Sequence, residues 1–112
     1  MTLKEWQSVV DQWIKDHGVR YFDEKTNGLL LIEEVGELSR HLARVYGEQS
    51  YKNDTSPEES KRLLEDEIGD VLFVLTCLAN QMDISLEDVV RTNMSKKTKR
   101  DHQRHKSNPK IQ

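Results

Sequence analysis

One short phrase occurs twice in this chain and constrains the fold more than any other feature. EEVGEL at positions 33–38 returns as DEIGDV at positions 66–71, with acid, acid, β-branched residue, glycine, acid and aliphatic residue in the same order. Both copies lie among apolar residues that recur at steps of three and four, which is the spacing of an amphipathic helix. The repeat therefore predicts two similar long helices that pack against each other.

Capping residues mark where each helix is expected to begin. Thr2 and Ser56 each stand three residues before a glutamate, and Ser85 stands three residues before an aspartate, as in a capping box. Thr26 or Asn27 is expected to cap the remaining helix. No segment alternates clearly enough to be a strand. The prediction is an all-α, four-helix bundle-like fold with helices at about 3–17, 28–46, 57–82 and 86–97.

The size of the chain and its charge distribution predict one domain with a distinct tail. A single domain is expected over residues 1–112, with a core at about 3–97 and a basic, flexible tail at 98–112. Residues 1–90 hold 9 Lys or Arg and 19 Asp or Glu, whereas residues 91–112 hold 8 Lys or Arg and one acid. The body is therefore acidic and the tail basic, and a second subunit would add stability to a chain of this size.

Cysteine usage and hydropathy indicate the cellular setting. Cys77 is the only cysteine, so an intramolecular disulfide is excluded. The sequence has neither an apolar leader nor a run of about 18 apolar residues. We therefore expect a cytoplasmic, reduced protein that does not enter a membrane, with Cys77 as a small buried hydrophobic residue.

The two copies of the phrase place acidic side chains at matching angles around their helices. With about 100° per residue, Glu34 lies near −60° and Glu37 near −120° from the apolar stripe of the first helix, and Glu67 and Asp70 take about the same angles on the second. Glu33 points about 160° away from its stripe. The two stripes consist of Leu31, Val35, Leu38, Leu42 and Val45, and of Leu64, Ile68, Val71, Leu75, Leu78 and Met82.

Packing these stripes against each other would gather four carboxylates at one edge of the core. Four such groups within about 6 to 8 Å repel one another by several kcal/mol unless cations lie between them. One E-x-x-E pair usually marks a solvated face, but two pairs with the same angles and the same context favour a site for Mg²⁺, Mn²⁺ or Ca²⁺. Gly36 and Gly69, which lie in mid-helix, predict the close approach of another backbone.

The same residues resemble the signature of the all-α MazG-like nucleoside triphosphate pyrophosphohydrolases. That signature is E-E-x-x-E followed after a variable gap by E-x-x-D. Here the two motifs read Glu33-Glu34-Val35-Gly36-Glu37 and Glu67-Ile68-Gly69-Asp70. The likeness extends over about residues 20 to 101.

The resemblance implies a reaction, a cofactor and an assembly. Its members cleave a nucleoside triphosphate between the α- and β-phosphates, which gives the monophosphate and pyrophosphate, and the substrates here would be surplus, deoxy or non-canonical nucleotides. It implies that Glu34, Glu37, Glu67 and Asp70 form the catalytic set and bind Mg²⁺, with Mn²⁺ as a substitute. Glu33 matches the first acid of the motif, but its helical angle points away from the other four, so we expect it to have an indirect or salt-bridging role. The resemblance also implies a homodimer or homotetramer whose nucleotide pocket is shaped by helices of two subunits.

Residues outside the two motifs give weaker indications of substrate contacts. Lys96 and Arg100, four residues apart on one helical face, match basic residues that would grip phosphates in the family, and Thr98 stands near where many relatives have asparagine. Trp13 would stack on the base, although aromatic residues at helical spacing commonly form core. His41, one turn after the first motif, is expected to be a hydrogen-bonded residue at the core edge rather than a ligand.

Two other functions are compatible with parts of the sequence. A non-catalytic helical dimerisation or regulatory protein would keep this fold. A site that no longer catalyses a reaction, however, has no reason to retain four mutually repelling carboxylates. A nucleic-acid-binding module would use the basic tail, but the acidic body repels a polyanion and no aromatic residue interleaves the basic ones. The expected partners are therefore a nucleoside triphosphate and further copies of the chain, with no nucleic acid.

Overall fold

The computed structural model describes residues 1–112 and consists of helices and their connections. A π-helical turn, Ile14–Gly18, continues the first helix, and a short 3₁₀ helix, Pro109–Ile111, lies near the end of the chain. The prediction of an all-α protein with four helices and no strand is confirmed. The four α-helices are α1 (Leu3–Trp13), α2 (Glu24–Val45), α3 (Pro57–Gln81) and α4 (Leu86–Asp101).

Side-chain caps explain where the helices begin. Thr2, Ser56 and Ser85 each accept a hydrogen bond from the backbone N–H three residues later, as predicted. The predicted start of α2 is wrong, since the helix begins at Glu24 rather than at residue 28. The reason is a cap that the prediction missed: the Asp23 carboxylate accepts the Thr26 N–H at 2.7 Å.

Asn27 joins α2 to α3 instead of capping a helix. It is buried, and its amide donates a hydrogen bond to the Gln81 side chain at 2.7 Å. The Gln81 amide in turn donates to the carbonyl of Phe22. At the other end of the pair, His41 of α2 approaches Glu67 of α3. The start of α2 thus meets the end of α3, and a later position of α2 meets an earlier position of α3, so α2 and α3 form an antiparallel hairpin.

The small core lies where α1 crosses α3. Val10 and Ile14 from the first helical segment and Cys77 from α3 are buried together. The Trp6 indole N–H donates to the Thr76 hydroxyl at 2.8 Å, which fixes α1 on α3. Burial raises the pKa of the Cys77 thiol to about 11, so the thiol stays neutral as a small buried hydrophobic group, as predicted.

Helix α4 projects from the rest of the molecule. Its axis turns by 103° from that of α3, it packs on α1, and none of its residues is buried. The radius of gyration is 17.9 Å, whereas a compact chain of this length has about 13 Å. Taken singly, no helix has the length and apolar composition that crossing a membrane requires, and only α3 and α4 together pass that test.

The C-terminal end of α4 lies beyond its predicted position. The helix continues to Asp101 rather than ending at about residue 97. There the Asp101 carboxylate pairs with Arg100 at 2.9 Å and with Arg104 at 3.2 Å. The hydrogen bond from Arg100 is the main reason that the pKa of Asp101 falls to about 2.

Part of each predicted apolar stripe remains exposed. Val35 and Leu42 of α2 and Ile68 and Leu75 of α3 are between 43% and 49% exposed. The expectation that the two stripes bury each other is therefore wrong for these residues. Two helices touch along one narrow line, and both stripes are wider than that line.

The close approach predicted at two mid-helix glycines is also absent within this chain. A Cβ atom added at Gly36 or at Gly69 would meet nothing within 4 Å. The prediction is therefore wrong for contacts inside one chain. The loss of helix propensity, about 0.5 to 1 kcal/mol for each glycine, is not offset by packing there.

A strained turn follows the π-helical segment. Val19 has φ 69° and ψ −57°, and the Arg20 N–H donates to the Gly18 carbonyl at 2.8 Å, which together define a γ-turn of the rare positive-φ kind. A β-branched residue in this region costs about 1 to 3 kcal/mol. The Val19 side chain is 89% exposed, so packing does not offset the strain.

We expect Val19→Gly to raise the free energy of unfolding by about 1 kcal/mol. The relief of about 1 to 3 kcal/mol of strain exceeds the roughly 0.5 to 1 kcal/mol lost to the greater freedom of glycine in the unfolded chain. Urea unfolding followed by circular dichroism measures the change. Val9→Gly is the matched control. Val9 lies in the α1 helix, where a glycine should lower the free energy of unfolding. A less stable Val19→Gly protein would contradict the prediction.

Candidate metal centre

The four acidic residues predicted as a metal site converge on the α2–α3 hairpin. Carboxylate oxygens of Glu34, Glu67 and Asp70 lie within 4.8 Å of one another. A second group with the same spacing consists of Glu37, His41 and Glu67. Residues three or four apart on a helix share a face, so each helix contributes adjacent turns to the site. Glu67 belongs to both groups and joins them into one carboxylate cluster.

The carboxylate cluster is electrostatically unfavourable without a cation. Burial, and next the nearby charge of Asp70, raise the pKa of Glu34, with smaller effects from Glu67 and Glu37. The Oε2 atom of Glu67 is buried and has no hydrogen-bond partner. A buried carboxylate oxygen without a partner is costly, and a divalent cation would supply the missing interaction. The donor set therefore fits a hard cation such as Mg²⁺ or Mn²⁺.

Glu37 is more exposed than Glu67, with which it shares the second group. The Glu37 side chain is 44% exposed, and its Oε1 atom pairs with Arg40 Nη1 at 2.8 Å. The Oε2 atom of Glu37 is left to act as a ligand. Glu33 is exposed and belongs to neither group, in agreement with its helical angle.

His41 is the one side chain of the cluster that sequence reasoning placed outside the ligand set. Its Nδ1 atom lies 2.7 Å from the Tyr51 hydroxyl, so the expected hydrogen bond at the core edge is present. Its Nε2 atom lies 4.0 Å from Glu67 Oε1, which puts the ring among the potential ligands. The sequence contained an indication of this position, because His41 follows Glu37 by four residues and therefore shares its helix face.

The two basic residues predicted to hold phosphate are not part of the carboxylate cluster. Lys96 and Arg100 are exposed on α4, which packs on α1. The Arg100 guanidinium pairs with Asp101 at 2.9 Å. Neither basic residue forms an ion pair with an acid of the cluster. One chain by itself does not bring these bases to these acids.

An apolar cavity of about 350 Å³ adjoins the carboxylate cluster. Leu30, four residues before Glu34, and Val74, four residues after Asp70, both line it. The cavity therefore begins one helical turn, about 5.4 Å, from the acids. Its other walls are mainly aromatic and include Trp13, Tyr21, Phe22 and Phe73.

Trp13, the residue predicted to stack on a base, stands at the edge of this cavity. Its side chain is 49% exposed, and its ring meets that of Phe73 edge-on at 5.6 Å between centroids. The ring also lies 5.2 Å from that of His17. Trp13 is therefore held on one side and open on the other, as a stacking surface must be.

Comparison with known proteins assigns the chain to a family. The family model of the MazG nucleotide pyrophosphohydrolase domain matches residues 22–105. The Bacillus subtilis protein YpjD is 43% identical over 103 residues, which cover 92% of this chain and 89% of YpjD. YvdC of the same organism is 38% identical over 73 residues, which cover 62% of this chain and 68% of YvdC.

Two solved structures share the fold. The crystal structure of YpjD from Bacillus subtilis superposes with a TM-score of 0.76 at 44% identity, and the match covers 86% of this chain and 94% of the other. The crystal structure of the Bacillus-conserved MazG protein, a nucleotide pyrophosphohydrolase, superposes with a TM-score of 0.71 at 36% identity. This match covers 86% of this chain and 88% of the other. The chain therefore belongs to the MazG nucleotide pyrophosphohydrolase family. It is a hydrolase of nucleotides, as the resemblance in its two acidic motifs implied.

Removing one charge from the carboxylate cluster is expected to stabilise the metal-free protein. The raised pKa of Glu34 means that the folded chain holds this proton more tightly than the unfolded chain does. Its contribution to stability therefore falls as the pH rises from about the unfolded value of 4.5 through the raised value. Glu34→Gln removes this loss of folding stability, so the Tm of the variant at pH 7 in EDTA should exceed that of the wild type.

Glu33→Gln is the matched control for this measurement. Glu33 is exposed and outside the cluster, so its substitution should leave the Tm unchanged in EDTA. Differential scanning calorimetry on the three proteins provides the comparison. A Tm for Glu34→Gln equal to or below that of the wild type would show that the acids do not strain the fold.

Proposed function

We propose that the protein hydrolyses nucleoside triphosphates, including deoxy or non-canonical ones, between the α- and β-phosphates with Mg²⁺ as cofactor. Mn²⁺ would substitute for Mg²⁺, and the reaction would clear surplus or non-standard nucleotides. One observation carries the proposal. Glu34, Glu37, Glu67 and Asp70 converge from two helices of a chain of this family, and one of their oxygens is buried without a partner.

Each acid has a defined part in this proposal. Glu34, Glu67 and Asp70 form one ligand group of the cluster, and Glu37 belongs to the second group, which shares Glu67. Divalent cations bound there would neutralise the triphosphate charge and lower the pKa of an attacking water. The water oxygen would form a bond to the α-phosphorus and give up a proton to solvent, while the bond from that phosphorus to the α–β bridging oxygen breaks and pyrophosphate leaves. The acids orient these partners and are unchanged at the end of the reaction.

The apolar cavity provides a place for the nucleoside. It begins one helical turn from the acids, so a nucleotide with its phosphates at the carboxylate cluster directs its base toward Trp13 and Phe22. Trp13 is 49% exposed and Phe22 is 60% exposed, so each has ring surface free to stack. Trp13 is the substrate-binding residue that we propose for this end of the site.

We expect the protein to convert triphosphates to monophosphate and pyrophosphate in the presence of Mg²⁺. A panel of canonical, deoxy and modified triphosphates, with chromatographic separation of the products, tests the bond that is cleaved. Glu67→Gln should lower the rate by about 100-fold or more, because it removes the acid shared by both ligand groups. Glu65→Gln, on the exposed side of α3, is the matched control and should keep full activity.

Two outcomes would contradict the proposed reaction. Release of orthophosphate in place of pyrophosphate would show that the protein hydrolyses nucleotides but cleaves a bond other than the proposed one. No product above the Glu67→Gln background with any triphosphate would refute the activity itself.

The active unit that we propose is a homodimer or homotetramer. Apolar side chains of α2 and α3, such as Ile32 at 68% and Leu72 at 51% exposure, are only partly covered within the chain. The space at Gly36 and Gly69 is open as well. Exposed apolar side chains of this kind favour association, and no nucleic acid is needed to explain them.

A second copy would also complete the site. Lys96 and Arg100 lie on the projecting α4, away from the acids of their own chain. We propose that they reach the phosphates bound at the carboxylate cluster of a partner. The dimer would then pair a basic helix of one subunit with an acidic hairpin of the other.

Mixing two inactive variants tests this arrangement. Glu67→Gln and the double variant Lys96→Ala with Arg100→Ala should each be inactive, whereas refolding them together should restore about one quarter of the wild-type rate, since half of the dimers would hold one intact site. Glu34→Gln mixed with Glu67→Gln is the control and should restore nothing, because both acids lie in one chain. Heterodimers seen by native mass spectrometry without recovered activity would contradict the exchange of α4.

A further inference from the structure

The carboxylate cluster contains a nitrogen atom as well as oxygens. His41 Nε2 and carboxylate oxygens of Glu37 and Glu67 lie within 4.8 Å of one another. The side chains of His41 and Glu67 are only 14% and 16% exposed, so both groups are mostly removed from water. This group therefore differs in chemistry from the all-carboxylate group of Glu34, Glu67 and Asp70 beside it.

Tyr51 holds the imidazole ring in position. The Tyr51 hydroxyl lies 2.7 Å from His41 Nδ1, and the Arg44 guanidinium lies over the Tyr51 ring at 5.5 Å from its centre. A histidine that binds a metal through one ring nitrogen donates a hydrogen bond through the other. With Nδ1–H donating to the Tyr51 oxygen, the lone pair of Nε2 faces the carboxylates.

The distances leave room for a cation between His41 and Glu67. The 4.0 Å between Nε2 and Glu67 Oε1 is too long for a hydrogen bond. It is close to the span of two metal–ligand bonds of about 2.1 Å each. The second oxygen of Glu67 is buried without a partner, which is an independent sign of a missing interaction. Glu37 keeps one oxygen for this position, since Arg40 pairs with Oε1 alone.

We propose that His41, Glu37 and Glu67 form a second metal position that selects Mn²⁺ over Mg²⁺. An imidazole ligand suits transition metals, whereas Mg²⁺ prefers oxygen ligands alone. This inference rests on the carboxylate cluster of the proposed function and shares Glu67 with it. It adds a metal preference that the acidic motifs by themselves do not carry.

Calorimetric titration of the full chain with Mn²⁺ and with Mg²⁺, without nucleotide, measures this preference. His41→Gln should weaken Mn²⁺ binding by at least about 10-fold and change Mg²⁺ binding by less than about twofold. Tyr51→Phe, which removes the acceptor for Nδ1–H, should weaken Mn²⁺ binding by about 10-fold as well. His105→Gln, an exposed histidine of the tail, is the matched control and should bind both metals as the wild type does.

Pulsed electron paramagnetic resonance of the bound Mn²⁺ gives a second readout, which the stability of a variant does not affect. The wild-type protein should show coupling to an imidazole ¹⁴N nucleus, and His41→Gln should abolish it. Absence of the coupling in the wild type, or its persistence in His41→Gln, would overturn the assignment.

The failure of this inference can be told apart from that of the proposed function. Pyrophosphate release with no nitrogen coupling would show that His41 is not a metal ligand, and it would still support the proposed reaction. Nitrogen coupling that depends on His41, with no pyrophosphate from any triphosphate, would support the metal position and refute the proposed reaction.

Discussion

Repulsion among the carboxylates of the α2–α3 hairpin is the constraint on which the rest of the molecule depends. Burial and the charge of Asp70 raise the pKa of Glu34, and one oxygen of Glu67 lacks any partner. These groups stay together because the hairpin is held elsewhere, in part by the buried hydrogen bond from Asn27 to Gln81. The metal-free fold thus stores an unfavourable interaction that a divalent cation would relieve.

The contacts that attach α1 to α3 also shape the cavity beside the acids. Gln7 and Asn80 exchange hydrogen bonds at 2.9 and 3.0 Å, and Asn80 also donates to the Tyr21 hydroxyl at 3.0 Å. Tyr21 in turn donates to Asp11 at 2.7 Å, and burial is the main reason that its pKa rises to about 12. The neutral Tyr21 therefore forms a fixed wall of the cavity in which Trp13 also stands.

The projecting α4 and the uncovered apolar faces have one explanation in common. Only six residues of the chain are buried, and side chains such as Leu72 leave apolar surface exposed. Association would cover this surface and bring Lys96 and Arg100 near acids that they do not meet in their own chain. In the proposed arrangement, the metal site would be built within one hairpin, whereas the phosphate contacts would come from a partner.

The sequence by itself determined the four helices, three of their four caps and the acids that converge. Helix periodicity and capping act over a few residues, so the angles of Glu34 and Glu67 follow from local geometry alone. Only the tertiary structure decided that Val35 stays exposed and that Tyr51 orients His41. Those outcomes depend on which surfaces meet across long stretches of chain, and no local pattern carries that information.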